Sequence, residues 1–345
     1  MDEPIILGIE SSCDDTSAAI IKGNTMLSNV AASQKIHNEY GGVVPELASR
    51  AHQLNIIPVI ESSISKANIR QNEISAVGFT RGPGLLGSLL VGTSFAKSLA
   101  MSLNVPLIEV NHLQAHILAH FIDDANPNPP KFPFLCLTVS GGHTMVVLVK
   151  DYFDMEIIGK TIDDAAGEAF DKIGKLFELD YPAGPIIDRL AKEGNPEAFK
   201  FNKPKLEKYD YSFSGVKTSV LYFIQKQLQK DPNFVKDNIQ DLCASVQKTI
   251  IEVLMNKLEK AAAELDIKEV AIAGGVSANS ALREAMQKNK EKLGWNIYIP
   301  KFEYTTDNAA MIAMVAKLKF DKKEFCDLSV SATARYDLES VFVKK

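Results

Sequence analysis

Cysteine, tryptophan and arginine are scarce in this 345-residue chain, with four, one and six copies. The cysteines, Cys13, Cys136, Cys243 and Cys326, form no CxxC pair. A chain of this length buries enough apolar surface to fold without staples, so a disulfide scaffold is excluded. Reduced thiols in a cytoplasmic protein are expected. With so few arginines, bidentate readout of phosphates or bases is not expected to be widespread. The N-terminus MDEPIILGIE is acidic and has no signal-peptide apolar region. No apolar run approaches ~18 charge-free residues, so no membrane span is expected. The longest, Leu85–Leu103, holds Lys97 and reads as a buried helix. The net charge of -5, from 38 basic and 43 acidic residues, argues against nonspecific coating of nucleic acid.

What is present is a globular composition, 46% hydrophobic and 23% charged, of a length for about two domains. Ile5–Ile9 and Thr16–Ile21 read as strands around the turn SSCDD. Pro45–Lys66 has helical periodicity interrupted at Pro58. A strand at Ser75–Thr80 enters RGPGLLGS and a helix; a strand at Val105–Val110 leads to a histidine-bearing helix. FIDDANPNPPKF reads as a linker, and the order then recurs. Strands Phe134–Val139 and Thr144–Val149 flank SGGH, Glu269–Ala273 enters GGVSANSAL, and Asn296–Ile299 precedes TTDNAAMIAMVAKL. Such a repeat predicts two related α/β lobes around a cleft lined by glycine turns. The expected boundaries are 1–125 and 126–320, with a mostly helical insertion at about 160–265 and the tail 321–345 returning to the first lobe.

Four segments carry possible chemistry. Val139, Ser140, Gly141, Gly142 and His143 form a tight hairpin whose amides can converge on an anion, or an ordinary Gly-Gly turn. ESSCDDT, with Glu10, Asp14 and Asp15, occupies the matching place in the first half. IAGGVSAN places two glycines before a helix capped by Ser277 or Asn279; it lacks the P-loop GK[ST]. His112 and His116 are i,i+4 in NHLQAH, with His120 extending the face, and the equivalent turn of the other half supplies Asp307. Two imidazoles and a carboxylate leave open positions on iron or zinc, although a histidine pair also occurs as a satisfied helix face. HExxH is absent, which argues against a zincin peptidase. TIDDAAGEAFDKIGK places Asp164, Glu168 and Asp171 on one expected helix face, and Gly167 suggests close approach by a ligand or another chain. Gly184 and Asp188 in YPAGPIID suit ribose hydroxyls.

With these residues in view, the chain closely resembles the bacterial tRNA N6-adenosine threonylcarbamoyltransferase (TsaD) family along essentially its whole length. GGVVPELASRAH, GPGLLGSLLVG, NHLQAH, VSGGHT, DDAAGEAFDKIGKLFELDYPAG, YSFSGVKTSV, AGGVSAN and TTDNAAMIA carry the resemblance. It implies a duplicated actin/Hsp70/sugar-kinase-like (ASKHA) fold. It implies His112, His116 and Asp307 as ligands of one Fe2+, with Zn2+ as the alternative. Val139–His143 matches the phosphate-binding hairpin, and Asp171, Gly184, Asp188 and Asn279 match nucleotide contacts, for the adenylate or for ATP or ADP with Mg2+. The implied reaction moves threonylcarbamoyl from L-threonylcarbamoyl-AMP to N6 of adenosine 37 in tRNAs reading ANN codons. The implied partners are the tRNA anticodon stem-loop, an upstream threonylcarbamoyl-AMP synthase, a TsaB-like paralogue and a TsaE-like P-loop ATPase. The metal helix departs from the family pattern at Gln114, where many members have an acid.

On chemical grounds the cluster Glu10, Asp14 and Asp15, or a water held there, is the expected acceptor of the amine proton. Lysines gather between Lys192 and Lys236, nine against five acidic residues. Phe201, Tyr209, Tyr211 and Phe213 lie among them, and such a tract can stack on a single-stranded loop. Charge reversal at Lys203, Lys205 and Lys208 is expected to weaken tRNA binding. The rival readings are a kinase or ATPase of the same fold, a metallopeptidase, and a noncatalytic scaffold.

Overall fold

The runs ILGIE and SAAII are apolar at nearly every position, as expected of strands covered on both faces. A computed structural model describes residues 3–124, 128–204 and 206–338. The chain begins β1 (Ile5–Glu10), β2 (Thr16–Lys22), β3 (Thr25–Ala32), α1 (Pro45–Lys66), β4 (Ala76–Gly82), α2 (Leu86–Leu103), β5 (Leu107–Asn111) and α3 (His112–Leu118). It continues with β6 (Phe134–Val139), β7 (Thr144–Asp151), β8 (Asp154–Lys160), α4 (Ala166–Leu176), α5 (Ala183–Ala191), α6 (Ser214–Leu228), α7 (Phe234–Asp237) and α8 (Ile239–Glu264). β9 (Glu269–Ala273), α9 (Ser280–Leu293), β10 (Asn296–Tyr298) and α10 (Ala309–Asp321) follow.

The two five-stranded sheets have orders β3-β2-β1-β4-β5 and β8-β7-β6-β9-β10. In each, the first strand pairs antiparallel with the second and parallel with the fourth. The sequence repeat is therefore a repeat of topology. One unit takes the chain up to Pro130, Tyr152–Met155 and the chain from Pro300 onward; the other takes Lys131–Asp151 and Glu156–Ile299.

This division moves the expected boundary at 320 back to Ile299. The reason lies in α10, which packs on β1 and β2. Gly8 and Gly78 make that approach possible, because a Cβ on them would lie 2.5 Å from Ala313 N and 2.4 Å from the Ala316 Cβ. The small residues of AAMIAMVA complete the fit, and the opposite sheet face packs Leu7, Ile9, Val77 and Phe79 against Ile56, Val59, Ala96 and Leu99. In the second unit Leu135, Leu137, Val270 and Ile272 pack with α4–α6 and α8.

Three further expectations are corrected. α1 runs unbroken through Pro58, because tertiary burial of Ile56, Val59 and Ile60 outweighs the lost backbone bond. α2 is long and apolar enough to cross a membrane by composition alone. It instead packs on β4 and α1, and it is only partly buried, with Leu86, Leu90 and Met101 exposed. The acidic helix starts at Ala166, so Asp163 and Asp164 precede it. Asp163 accepts hydrogen bonds from Ser212 Oγ and the Phe213 and Ser214 amides, and Lys172 bridges Asp164 and Glu168.

Candidate metal centre and nucleotide-binding elements

Asn111, the last residue of β5, caps α3 by accepting from the Leu113 and Gln114 amides at 2.9 and 3.1 Å. The cap starts the helix so that His112 and His116 share a face one turn apart. Asp307 stands just before α10, whose first turn is capped by Asn308. The His112 and His116 Nε2 atoms are 3.2 Å apart, and Asp307 Oδ1 lies 3.3 and 3.1 Å from them. His112 and His116 are buried and Asp307 is partly exposed. Metal–donor bonds of about 2.0–2.2 Å at facial angles place donor atoms about 3.0–3.4 Å apart, so this N,N,O triangle fits one Fe2+ or Zn2+.

Behind the triangle, His112 Nδ1 faces Glu10 Oε2 at 2.9 Å and Ser12 Oγ at 3.1 Å. Glu10 is fully buried and also accepts from Thr80 Oγ1 at 2.7 Å and from the Ser12 amide. A carboxylate there favours a proton on Nδ1 and leaves Nε2 as the lone-pair donor. Burial opposes a charged imidazole, but Asp307 and Glu10 outweigh it and raise the His112 pKa well above its ordinary value. Burial likewise opposes ionisation of Asp307, but His112 and His116 bring its pKa well below the usual range. The pocket therefore favours positive charge, from protons or from a cation.

Asp14 and Asp15 follow in the turn to β2, both partly buried. Burial pushes the Asp15 carboxyl up to about 6, although Ser33 hydrogen-bonds it. Glu10 thus differs in role from its two neighbours, since its oxygens are already engaged with His112, Thr80 and Ser12. His120 stands outside the triangle, because the helix tightens into a 3-10 turn at Ala119–Phe121.

In the second unit, Ser140, Gly141, Gly142 and His143 turn between β6 and β7, with the two glycines exposed. The turn is closed by Ser140 N to His143 O at 2.8 Å and His143 N to Ser140 Oγ at 3.1 Å. A side chain on Gly141 or Gly142 would meet open space. Gly167 is the second residue of α4, and its amide donates to Ser140 O at 3.2 Å. A Cβ there would lie 2.6 Å from that oxygen, so the close approach is made by the chain's own hairpin.

Asp171, Gly184, Asp188 and Asn279 join this hairpin through neighbouring helix starts. Asp171 Oδ1 accepts from the Ala183 amide at 2.8 Å, and burial raises its pKa. Gly184 is the second residue of α5. Asp188 Oδ1 accepts from Ser280 N at 3.1 Å and Ser280 Oγ at 2.6 Å. Asn279, not Ser277, caps α9 and donates to Gln247 Oε1 at 2.7 Å. Through these bonds Asp171 ties α4 to the start of α5, Asp188 ties α5 to the start of α9, and Asn279 ties that start to α8.

A profile described as TsaD, tRNA N6-adenosine threonylcarbamoyltransferase, matches residues 25–314. The chain belongs to that family. A protein of the same name from Riemerella anatipestifer is 82% identical over 98% of this chain and 99% of its own. Its counterpart in Christiangramia forsetii is 61% identical over 96% and 97%. Among solved structures, component A of the (R)-2-hydroxyglutaryl-CoA dehydratase of Acidaminococcus fermentans aligns with a TM-score of 0.52 at 16% identity, covering 92% of this chain and 98% of that one. The ROK hexokinase of Thermus thermophilus aligns at 0.51 and 14%, covering 92% and 99%. At that identity these two show the ASKHA fold alone. The chain is thus a tRNA-modifying acyltransferase that forms threonylcarbamoyladenosine.

Within this threonylcarbamoyltransferase, the expected aromatic RNA platform is corrected. Phe201, Tyr211 and Phe213 are core residues, and the Tyr209 hydroxyl donates to Glu264. Apolar area counted for more than their lysine neighbours. Lys203 is paired with Glu252, and Lys205 lies outside the described residues. Sequence reading missed Thr80 and Gln247; the signal for Thr80 was a hydroxyl at the strand end beside GPG.

Proposed function

We propose that this enzyme takes L-threonylcarbamoyl-AMP as donor and modifies N6 of adenosine 37 in tRNAs that read ANN codons. The triangle of His112 Nε2, His116 Nε2 and Asp307 Oδ1 carries this reading. Fe2+ bound there, or Zn2+ in its place, supplies Lewis-acid polarisation of the threonylcarbamoyl carbonyl. Adenosine N6 is a weak nucleophile, so positioning and charge stabilisation supply most of the rate.

The Ser140–His143 amides hold the adenylate phosphate, which leaves as AMP. Asp171, Gly184, Asp188 and Asn279 hold its nucleoside part, and ATP or ADP with Mg2+ occupies the same seat when the adenylate is absent. Asp15 accepts the amine proton. Its carboxyl at about 6 is near the working pH, and the choice is supported by Glu10 being engaged with His112. Asp14 is the neighbouring acceptor on the same turn.

The tRNA anticodon stem-loop meets the lysines of the 192–236 tract. The exposed Leu54 and Ile57 of α1 and Leu86 and Leu90 of α2 suit a TsaB-like paralogue, on helices that pack together. A TsaE-like P-loop ATPase and the upstream synthase complete a cytoplasmic system.

The test incubates the protein with threonine, bicarbonate, ATP, synthase, partners and unmodified tRNA, then measures t6A by mass. Wild type is expected to form t6A, and His112→Ala to lose more than about 100-fold in rate. Equal product from the variant would reject the metal assignment.

A further inference from the structure

The chain after α10 does not simply trail off; it returns to the first sheet beside the metal helix. The Cys326 amide donates to Leu107 O at 2.9 Å on β5. Further on, Thr333 N donates to Arg81 O at 2.9 Å, and Ala334 O accepts from Gly84 N at 3.1 Å. Arg81 completes the grip: its Nε donates to Ser331 O at 3.1 Å, its Nη1 to Glu109 Oε2 at 2.6 Å, and its guanidinium stacks 4.8 Å from the Tyr336 ring centroid. Leu338 is fully buried.

This strap touches both supports of His112. On one side, Asn111 Nδ2 donates to Tyr336 O at 2.9 Å, while Asn111 Oδ1 caps the first turn of α3. The carboxamide is fully buried, so its two ends cannot exchange these partners for water. On the other side, the strap closes on the GPG turn, whose far face meets the Ser12 backbone. The Leu85 amide donates to Ser12 O at 2.8 Å, and Ser12 Oγ lies 3.1 Å from His112 Nδ1. Gly82 shows how tightly the strap fits, since a Cβ there would lie 2.0 Å from Thr333 O.

We propose that Asn111 is a positioning residue through which the C-terminal strap, residues 331–336, holds the first turn of α3 and so presets His112 for its metal. The carboxamide needs both of its functions. An acceptor alone would cap the helix; the donor ties that cap to the strap. This rests on the reading of His112, His116 and Asp307 as metal ligands.

Two variants separate strap from cap. Asn111→Asp keeps the shape and the capping oxygen but replaces the NH2 facing Tyr336 O with an oxygen. The new oxygen faces Tyr336 O in a fully buried place, so the tie to the strap becomes a repulsion while the capping oxygen remains. Gly82→Ala keeps the Asn111 carboxamide and pushes on the strap, its Cβ falling 2.0 Å from Thr333 O and 3.3 Å from the Tyr336 Cβ; Gly82 is itself the ladder partner of Asn111 between β4 and β5. The probe is Co2+ alone, titrated into the full chain and followed by its visible spectrum, with hydrogen exchange of the Leu113 and Gln114 amides measured on the metal-free protein.

Wild type should bind one Co2+ that His116→Ala abolishes. Both strap variants should bind Co2+ about tenfold more weakly or worse, and exchange those two amides faster. Wild-type affinity and exchange in both variants would overturn the strap. Failure of wild type itself to bind Co2+ would remove the metal reading, and the strap would then stand or fall on amide exchange alone. If one variant does not fold by circular dichroism, the other decides.

Discussion

The two units share one strand order and put opposite chemistry at the same place in it. The end of β1 and the turn to β2 hold three carboxylates, of which Glu10, the last strand residue, is drawn fully inside by His112 and Thr80. Between β6 and β7 the matching turn is Gly141-Gly142, exposed and bare. The glycine turn after β4 is filled by Thr333 and Ser12 of the same chain, whereas the turn after β9 is packed at Gly274, against Val139 O, and open at Gly275. One copy of the fold draws a carboxylate and two imidazoles inside, and the other leaves Gly141, Gly142 and Gly275 open. The topology sets where a site can be; side-chain volume and charge decide what it takes.

The largest expected effect that would break this comparison is at Glu10. Glu10→Ala leaves His112 Nδ1 without its carboxylate, and metal affinity should fall about 10- to 100-fold. Glu10→Gln, which still accepts from Nδ1, should lose less. Calorimetric titration of metal checks both, and ADP binding by the second unit should stay unchanged.

Next in size is the glycine pair of the second unit. Gly167→Ala drives a Cβ to within 2.6 Å of Ser140 O and should cost about 1–3 kcal/mol in denaturant unfolding. Gly141→Ala points into open space and should be near neutral for stability while weakening adenylate binding. Equal destabilisation by both would show that the hairpin is held as tightly as the turn after β4.

Asp15 offers a smaller effect with a definite sign. Its carboxyl stands at about 6 in the folded chain against an ordinary 3.8. The folded state therefore binds more protons between these values, and stability falls as pH rises through that window. Asp15→Asn should lack this slope and be more stable by about 1–2 kcal/mol at pH 7, while transfer falls. A variant with undiminished transfer and intact metal binding would clear Asp15 of the proton-acceptor role. Smallest of all, Lys208→Glu should weaken tRNA binding and flatten its salt dependence by about one charge. Lys203→Glu should do less, because Glu252 already neutralises that lysine.

Much of the fold was legible because its signals are local. Short apolar runs bounded by glycine and polar turns marked eight of the strands closely, and i,i+4 spacing put His112 and His116 on one face. Where reading failed, a distant partner had intervened. The Pro58 break vanished under burial of α1 against the sheet, and Phe201, Tyr211 and Phe213 went to the core rather than to RNA. The second half appeared to own α10 until Gly8 and Gly78 were seen to seat it on the first sheet.

Residue type and spacing alone determined the duplicated α/β order, the two glycine turns and the histidine pair, because each depends on backbone preference within a few residues. Only the tertiary structure decided that Asp307 lies 3.1 Å from His116 Nε2 across 191 positions of chain. It also joined Glu10 to His112 and brought the C-terminal residues 331–336 against Asn111 and Arg81. These outcomes depend on which groups are buried together, and burial multiplies the energy of a charge or a hydrogen bond far beyond what sequence neighbours can supply.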